Sequence, residues 1–400
     1  MNQTEMRKGG LVREILDLSR KNIRNYAMYV ALAVIFLVFQ VLSGGHFLTA
    51  RNITNLINQT GYIAVMAVGM TLVLIICQID LSVGYVAGFL GAFAARLLQL
   101  GWAVGPVILL VLLLGAAIGL MQGLIIGKLG VPAFVTTLAC EFAFRGLLTL
   151  ITESTGTIPV TNEFFVNLSN GFLPELFMVG DLHGLTLMVG ALAIAAVTAM
   201  QVKQRKELKR YRFATVSLPI FIVKLVFFAL LIGALAYVLA AYNGLSWTIV
   251  IVAAVAGAYS FVMNNTRVGR YVYGMGGNME AASLSGVNVQ KILIGTFVSM
   301  GCMAALGGIL YTARLGAATP TAGSGFELDA IASAYIAGVS TTGGIGSVIN
   351  SVVGAFVIMS LTNGLNLIGV GISYQYVIKG IIFICAVALD VRGRGKKVVG

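Results

Sequence analysis

The chain has 400 residues, of which 58% are hydrophobic and only 10% charged, and its mean hydropathy is +0.96. A water-soluble globule of this composition would expose far too much apolar surface, and the same apolar content excludes intrinsic disorder. A net charge of +12 would suggest nucleic acid in a soluble protein, but in a membrane protein it follows the positive-inside rule if the basic residues share one side.

Residues 1–26 hold Arg7, Lys8, Arg13, Arg20, Lys21 and Arg24, and no apolar core long enough for a signal peptide. Leu11, Val12, Ile15, Leu16 and Ile23 recur at roughly helical spacing. The segment reads either as a cytoplasmic interfacial helix or as a basic tail. Apolar runs follow at 27–45, 61–79, 82–100, 104–127, 132–151, 184–202, 216–240, 245–263, 291–312, 327–340, 344–364 and 371–390. The runs are continuous rather than alternating, which predicts helices and not a β-barrel. The 327–340 run is short, as a broken or re-entrant span would be. The expected fold is an all-α polytopic bundle of about 10–12 transmembrane helices. It occupies residues 27–390 and is followed by a basic tail at 391–400.

Charge sets the orientation. With the N-terminus inside, twenty of the twenty-six Lys and Arg residues fall in inside segments. They include the cluster Lys203, Arg205, Lys206, Lys209, Arg210 and Arg212. The longest outside loop, 152–183, holds Glu153, Glu163, Glu175 and Asp181 and no basic residue. Both termini are therefore expected in the cytoplasm. Glycine is abundant, and Gly115-Ala116-Ala117-Ile118-Gly119 and Gly119 to Gly123 read as close-packing helix faces.

Two helix breaks interrupt the runs. One is Gln78-Ile79-Asp80-Leu81-Ser82-Val83-Gly84, and the other is Gly338 through Ser347, containing Gly343, Gly344 and Gly346. Each is followed by a similar phrase, Leu90-Gly91-Ala92-Phe93 and Val353-Gly354-Ala355-Phe356, which suggests an internal repeat. Broken helices in the two halves of a transporter mark candidate gating positions, here Asp80, Ser82, Gly84, Gly343, Gly344 and Gly346. Asp80 also reads as a helix N-cap, its carboxylate accepting from amides two or three residues on.

Enzyme signatures fail on inspection. Gly123 to Leu129 resembles a phosphate loop only until Gln122 and Leu129, which stand where glycine and Ser/Thr are required. Gly274-Met275-Gly276-Gly277-Asn278-Met279 lacks the third glycine of a dinucleotide loop, and neither HExxH nor a serine elbow with plausible partners occurs. His46 and His183 are far apart, and Cys77, Cys140, Cys302 and Cys385 all lie in apolar runs. No disulfide framework, metal or cofactor is expected. Energy must come from another subunit or from an ion gradient.

Intramembrane ionisable residues are the default functional candidates. Glu141 and Arg145 are four apart on one helical face and are expected to pair. Left alone at mid-bilayer, each would cost about 2.5–3.5 kcal/mol. Lys379 lies well inside the last span. A proton-coupled carrier would carry more buried carboxylates.

The inside loop 264–291 is too long for a plain turn. Ala281, Ala282 and Leu284 can form the apolar side of a short helix, capped by Asn278 and ended by Gly286. Such a helix can sit in a groove on a partner; a solvated connector is the alternative.

The stretch Gly276-Gly277-Asn278-Met279-Glu280-Ala281-Ala282-Ser283-Leu284-Ser285-Gly286-Val287-Asn288-Val289 resembles the cytoplasmic coupling loop of sugar-type ABC importer permeases, within the branched-chain amino-acid/sugar permease superfamily. Three further stretches resemble the same family. They are Gly69-Met70-Thr71 leading to Ile79-Asp80-Leu81-Ser82-Val83-Gly84, then Arg314-Leu315-Gly316-Ala317 through Glu327-Leu328-Asp329-Ala330-Ile331-Ala332, and Asn363-Gly364-Leu365-Asn366-Leu367. Departures include Ser283 in place of a basic residue, Thr341-Thr342 in place of Ser-Leu, and extra spans around 184–240 that match the longer xylose-type and multiple-monosaccharide members.

The resemblance implies a multi-pass permease subunit of the bacterial inner membrane, itself without enzymatic activity. It implies two permease copies, a cytoplasmic ABC ATPase subunit docked on Gly276, Gly277, Asn278, Glu280, Ala281, Ala282, Leu284, Ser285 and Gly286, and an extracytoplasmic sugar-binding protein. No nucleic acid is involved. A monosaccharide path needs hydrogen-bonding groups and aromatic faces, for which Asn363, Asn366, Tyr374 and Gln375 are candidates, although Asn and Gln also glue helices. The alternatives are a permease of the same superfamily for an amino acid or nucleoside, and an ion-coupled secondary transporter.

Overall fold

A computed structural model of the chain describes residues 28–153, 156–213 and 215–395. The expected N-terminal segment at 1–26 and the end of the basic tail lie outside the described residues. The fold is an all-α polytopic bundle. In chain order the helices are α1 (Met28–Leu42), α2 (Ala50–Ile75), α3 (Val83–Gln99), α4 (Val104–Leu129), α5 (Ala133–Thr152), α6 (Glu163–Asn170), α7 (Gly184–Arg210), α8 (Leu218–Ala240), α9 (Trp247–Asn265), α10 (Arg267–Gly277), α11 (Met279–Leu284), α12 (Val289–Leu315), α13 (Phe326–Ile336), α14 (Val348–Leu367) and α15 (Ile372–Gly395). Eight of them are long and apolar enough to cross a membrane; α1, α3 and the apolar part of α15 are shorter. Each of the twelve apolar runs coincides with a helix.

Two boundaries moved for physical reasons. Helix α2 starts at Ala50, well before the apolar run, because Thr49 caps it and its early polar side chains bond within the helix. Thr54 Oγ1 donates to the Ala50 carbonyl at 2.9 Å and Thr60 Oγ1 to that of Leu56 at 2.7 Å. Helix α15 runs to Gly395, so the first half of the expected tail is helical.

The chain forms two compact units. The larger comprises Ala31–Phe47, Asn55–Gly171 and the part from Trp247 onward. Its centre is α2, whose side chains from Ile63 to Ile76 are almost all buried. Helix α12 lies in the groove between α3 and α4, and glycine permits the approach. A Cβ on Gly115 would overlap the Gly301 carbonyl, and one on Gly301 that of Gly115. The same reciprocity holds between Gly308 and α3, where Gly308 meets the Ala87 carbonyl and Gly91 meets that of Gly308. Close backbone approach of this kind substitutes for the hydrophobic drive that lipid does not supply.

Helix α12, at 27 residues, is about 40 Å long at 1.5 Å per residue, and its two ends sort the loops. At its C-terminal end the segment 158–170 is pinned. Strands β1 (Ile158–Pro159) and β4 (Ala317–Ala318) pair antiparallel, the latter just beyond the helix. Asn170, the last residue of α6, donates to the carbonyls of Ala313 and Arg314, and Arg314 donates back to Asn170 Oδ1. At its N-terminal end lie α10 and α11. Segments expected on opposite faces of the membrane thus meet opposite ends of one helix.

The smaller unit contains Phe172–Ser246. Helices α7 and α8 pack against each other, with Gly190 seated on Ala236. Strands β2 (Met178–Val179) and β3 (Leu182–His183) form a hairpin before α7. His183 then caps α7, its Nδ1 accepting from the Thr186 amide at 3.3 Å. These are the extra spans noted in the sequence.

Candidate functional site

The loop 264–291 is mostly helical. Thr266 caps α10 through Oγ1, which accepts from the Gly269 amide. Gly269, Val272, Met275 and Gly276 form the buried face of α10. Asn278 sits at the corner. Its amide donates to the Gly274 carbonyl at 3.0 Å, ending α10, and its Oδ1 accepts from the Ala281 amide at 2.9 Å, starting α11. Gly286, at φ +85°, ends the short helix as expected. The expected apolar side is different, however. Only Ala282 is buried, Ala281 is exposed, and Leu284 projects outward at 85% exposure. A helix of six residues anchored at one alanine leaves Glu280, Leu284 and Ser285 on an open edge.

Both helix breaks meet the end of α10. The Gly344 amide donates to the Ile75 carbonyl, the last of α2, at 2.9 Å. Gly276 lies on that same carbonyl and against the Gly344 amide, so closely that a Cβ there would overlap both. Cys77, at φ +57°, donates its thiol to the Thr342 carbonyl at 3.1 Å. Tyr273 Oη donates to the Gly346 carbonyl at 3.0 Å, and burial raises its phenol above the ordinary value, so it stays a donor. Gly343 and Gly344 both have positive φ, which glycine adopts without strain.

The far side of the first break is a closed polar chain. Asp80 Oδ1 accepts from the Ser82 amide at 2.9 Å and from Ser82 Oγ at 2.7 Å, and Gln122 Nε2 donates to Ser82 Oγ at 2.7 Å. Asp80 does accept from an amide two residues on. The N-cap position itself is Ser82, so Asp80 closes an Asx turn before the helix rather than capping it. The second break opens in the same way, with Ser340 Oγ accepting from the Thr342 amide at 3.2 Å. Gly84 lies within α3 rather than in the break, packed on the Gly323 carbonyl and the Glu327 carboxylate.

The other candidates are not gathered here. Gln375 Nε2 donates to Asn366 Oδ1 at 2.7 Å and to the Val370 carbonyl at 2.8 Å, tying α14 to α15. Asn363 is buried in α14, and Tyr374 is exposed. The Asn366–Gln375 bond glues two helices. Lys379 pairs with Asp329 at 2.9 Å. Among the described residues Glu141 and Arg145 do not pair; the Arg145 guanidinium instead lies over the Tyr85 ring, 5.6 Å from its centre. An i, i+4 pair is worth only about 0.2–0.5 kcal/mol, which an aromatic face can match. Sequence reasoning missed Gln122, Tyr273 and Cys77 as parts of the junction. Cys77 lies beside a break and Tyr273 in the loop, whereas Gln122 lies inside α4 and its only signal was a polar residue within an apolar span.

A polytopic bundle whose two helix breaks meet a surface loop has the architecture of a membrane permease subunit. The family described as the branched-chain amino acid transport system, permease component, matches residues 52–387, and the chain belongs to that family. It is 36% identical to the xylose transport system permease protein of Haemophilus influenzae over 96% of this chain and 100% of the relative. It is 34% identical to the xylose transport system permease protein of Escherichia coli, covering 93% of each chain. It is also 34% identical to the ribose import permease protein of E. coli, over 90% of this chain and 92% of the relative. No solved structure matches the chain. The protein is therefore a multi-pass membrane permease, a transport subunit.

Proposed function

We propose that the chain is the transmembrane subunit of an ABC importer for monosaccharides of the xylose and ribose class. The resemblance of the 276–289 stretch and the xylose and ribose relatives support this reading. The observation that carries the mechanism is the contact of Gly276 with Ile75 and Gly344. A cytoplasmic ATPase subunit grips the open edge of α11 around Glu280, Leu284 and Ser285. Movement of α11 passes through Asn278 and α10 to both helix breaks at once. The breaks then shift between two packings, which is alternating access biased by ATP. This chain performs no covalent step. Two copies form the route, and an extracytoplasmic sugar-binding protein delivers the substrate. Both termini, the 264–291 loop and the basic tail face the cytoplasm.

The test is association and uptake. Glu280→Lys and Gly286→Trp should leave insertion intact and abolish both ATPase pull-down and sugar uptake. Normal ATPase pull-down by both variants would remove the coupling assignment. Uptake of leucine or a nucleoside instead of a pentose or hexose would move the chain to another branch of its superfamily. Accumulation by the chain alone, driven by an ion gradient, would make it a secondary transporter.

A further inference from the structure

The hairpin of α7 and α8 carries charge in the seam between its helices. Residues 184–201 of α7 hold no ionisable side chain. At 1.5 Å per residue they cover about 27 Å, close to a hydrocarbon core of about 30 Å. Lys203, Arg205, Lys206, Lys209, Arg210 and Arg212 follow, against the single acid Glu207. Basic residues just beyond a span are the ordinary positive-inside pattern. That pattern does not account for two cations set between the helices. Arg205 is half-buried, and its Cζ lies 4.5 Å from the centre of the Phe221 ring, in the first turn of α8. Stacking on a ring leaves the N–H edge of a guanidinium able to donate. Among the described residues, however, Arg205 has no hydrogen-bond acceptor, and its Nη1 is enclosed without one. Lys224 is the one charged residue of α8 and is exposed. Its Nζ donates to Gln201 Oε1 at 3.0 Å. Gln201 stands four residues before Arg205, and Lys224 three after Phe221. The two contacts therefore stack on consecutive turns of one seam.

Neither cation meets a carboxylate among the described residues. Lys224 is bonded at the level of Gln201, where the uncharged stretch of α7 ends, so both cations lie at the rim of the hydrocarbon. The side chains beside Lys224, namely Ile222, Val223, Val226 and Phe227, are exposed and apolar, as a surface against acyl chains requires. Tyr211 and Phe213, just past the end of α7, are exposed as well, and aromatic residues settle at the headgroup level. The missing counter-charge must therefore reach the rim alongside apolar groups. The phosphodiester of a phospholipid does so, because its own acyl chains lie along α8. An acidic protein surface approaching from water would meet Lys206, Lys209 and Arg210 first, on the exposed last turns of α7.

We propose that Arg205 and Lys224, in the seam of α7 and α8, bind the phosphate of an anionic phospholipid. The inference needs the chain to sit in a membrane and is independent of the solute it carries. Native mass spectrometry of the full chain in detergent, titrated with phosphatidylglycerol or phosphatidylcholine, tests it. Phosphatidylglycerol should bind at least about tenfold more tightly than phosphatidylcholine, and an equal concentration of inorganic phosphate should not displace it. Arg205→Gln combined with Lys224→Gln should weaken phosphatidylglycerol binding at least about tenfold and leave phosphatidylcholine binding unchanged. Lys206→Gln combined with Arg210→Gln removes the same charge from the exposed end of α7, and should weaken it less than about threefold. If the seam double variant does not fold, Lys224→Gln alone, at an exposed position, should still weaken binding at least about threefold. The proposal is overturned if the two lipids bind equally, or if the two double variants lose equally, which would make the attraction a diffuse one. Displacement by inorganic phosphate would overturn it in favour of a free-anion site. A seam variant that keeps phosphatidylglycerol but no longer retains the ATPase subunit would overturn it in favour of a protein contact.

Discussion

The amide of Gly344 donates to the carbonyl of Ile75, joining two helix breaks that are remote in sequence. Gly276 rests on the same carbonyl from a third segment. One backbone oxygen thus lies under both breaks and the surface loop.

That crowding makes Gly276 the position least able to accept a side chain. Gly276→Val should cut uptake more than tenfold while insertion and ATPase pull-down persist. Gly277→Ala should transport normally, since a Cβ there meets nothing within 4 Å. Transport assays on the two variants side by side check this. Equal activity would mean that the junction tolerates separation.

The Lys379–Asp329 pair ties α13 to α15 with side chains only 19% and 16% exposed. Removing one partner strands a charge, which for buried pairs costs about 3–5 kcal/mol. Lys379→Met should therefore lower detergent thermal stability markedly. Lys379→Met combined with Asp329→Asn should recover much of the loss, because no unpaired charge remains. A double variant as unstable as the single one would contradict the pairing argument.

Glycines along α12 should divide sharply. Gly308→Leu should prevent folding, because the side chain would enter the Ala87 carbonyl. Gly295→Ala, on the same helix with open space around it, should be neutral or gain up to about 1 kcal/mol from helix propensity. Expression and melting temperature in detergent report both.

The two ends of α12 place Leu284 and Phe164 on opposite sides, and the basic cluster places Lys206 on the cytoplasmic one. Lys206→Cys and Leu284→Cys should be labelled by an impermeant reagent only from the cytoplasm, and Phe164→Cys only from outside. Phe164 is the right probe there because it is 65% exposed, whereas the adjacent Phe165 is fully buried. Reversed labelling would invert the topology.

The twelve apolar runs sufficed to locate the spanning helices, because hydropathy over some twenty residues is a local property. The start of α2 escaped because Thr54 and Thr60 look polar in sequence but satisfy their hydroxyls on their own helix. Helix α11 was legible from Asn278 and Gly286, which carry cap chemistry in their side chain and backbone. Helices α6 and α10 are short and amphipathic, and their caps at Asn162 and Thr266 went unread. The junction itself was out of reach. That Ile75, Gly276 and Gly344 touch is a tertiary fact, and a single sequence holds no signal linking three distant backbone positions. The spacing of Glu141 and Arg145 permitted a pair, but spacing does not reveal Tyr85 waiting beneath the guanidinium.

Asn278 binds the end of one helix with its backbone and the start of the next with its side chain. Each bond fixes its own helix end at this one residue, so α10 and α11 share a single corner with no linker between them. On the coupling proposed above, a push at Leu284 has only that corner to cross before it reaches Gly276.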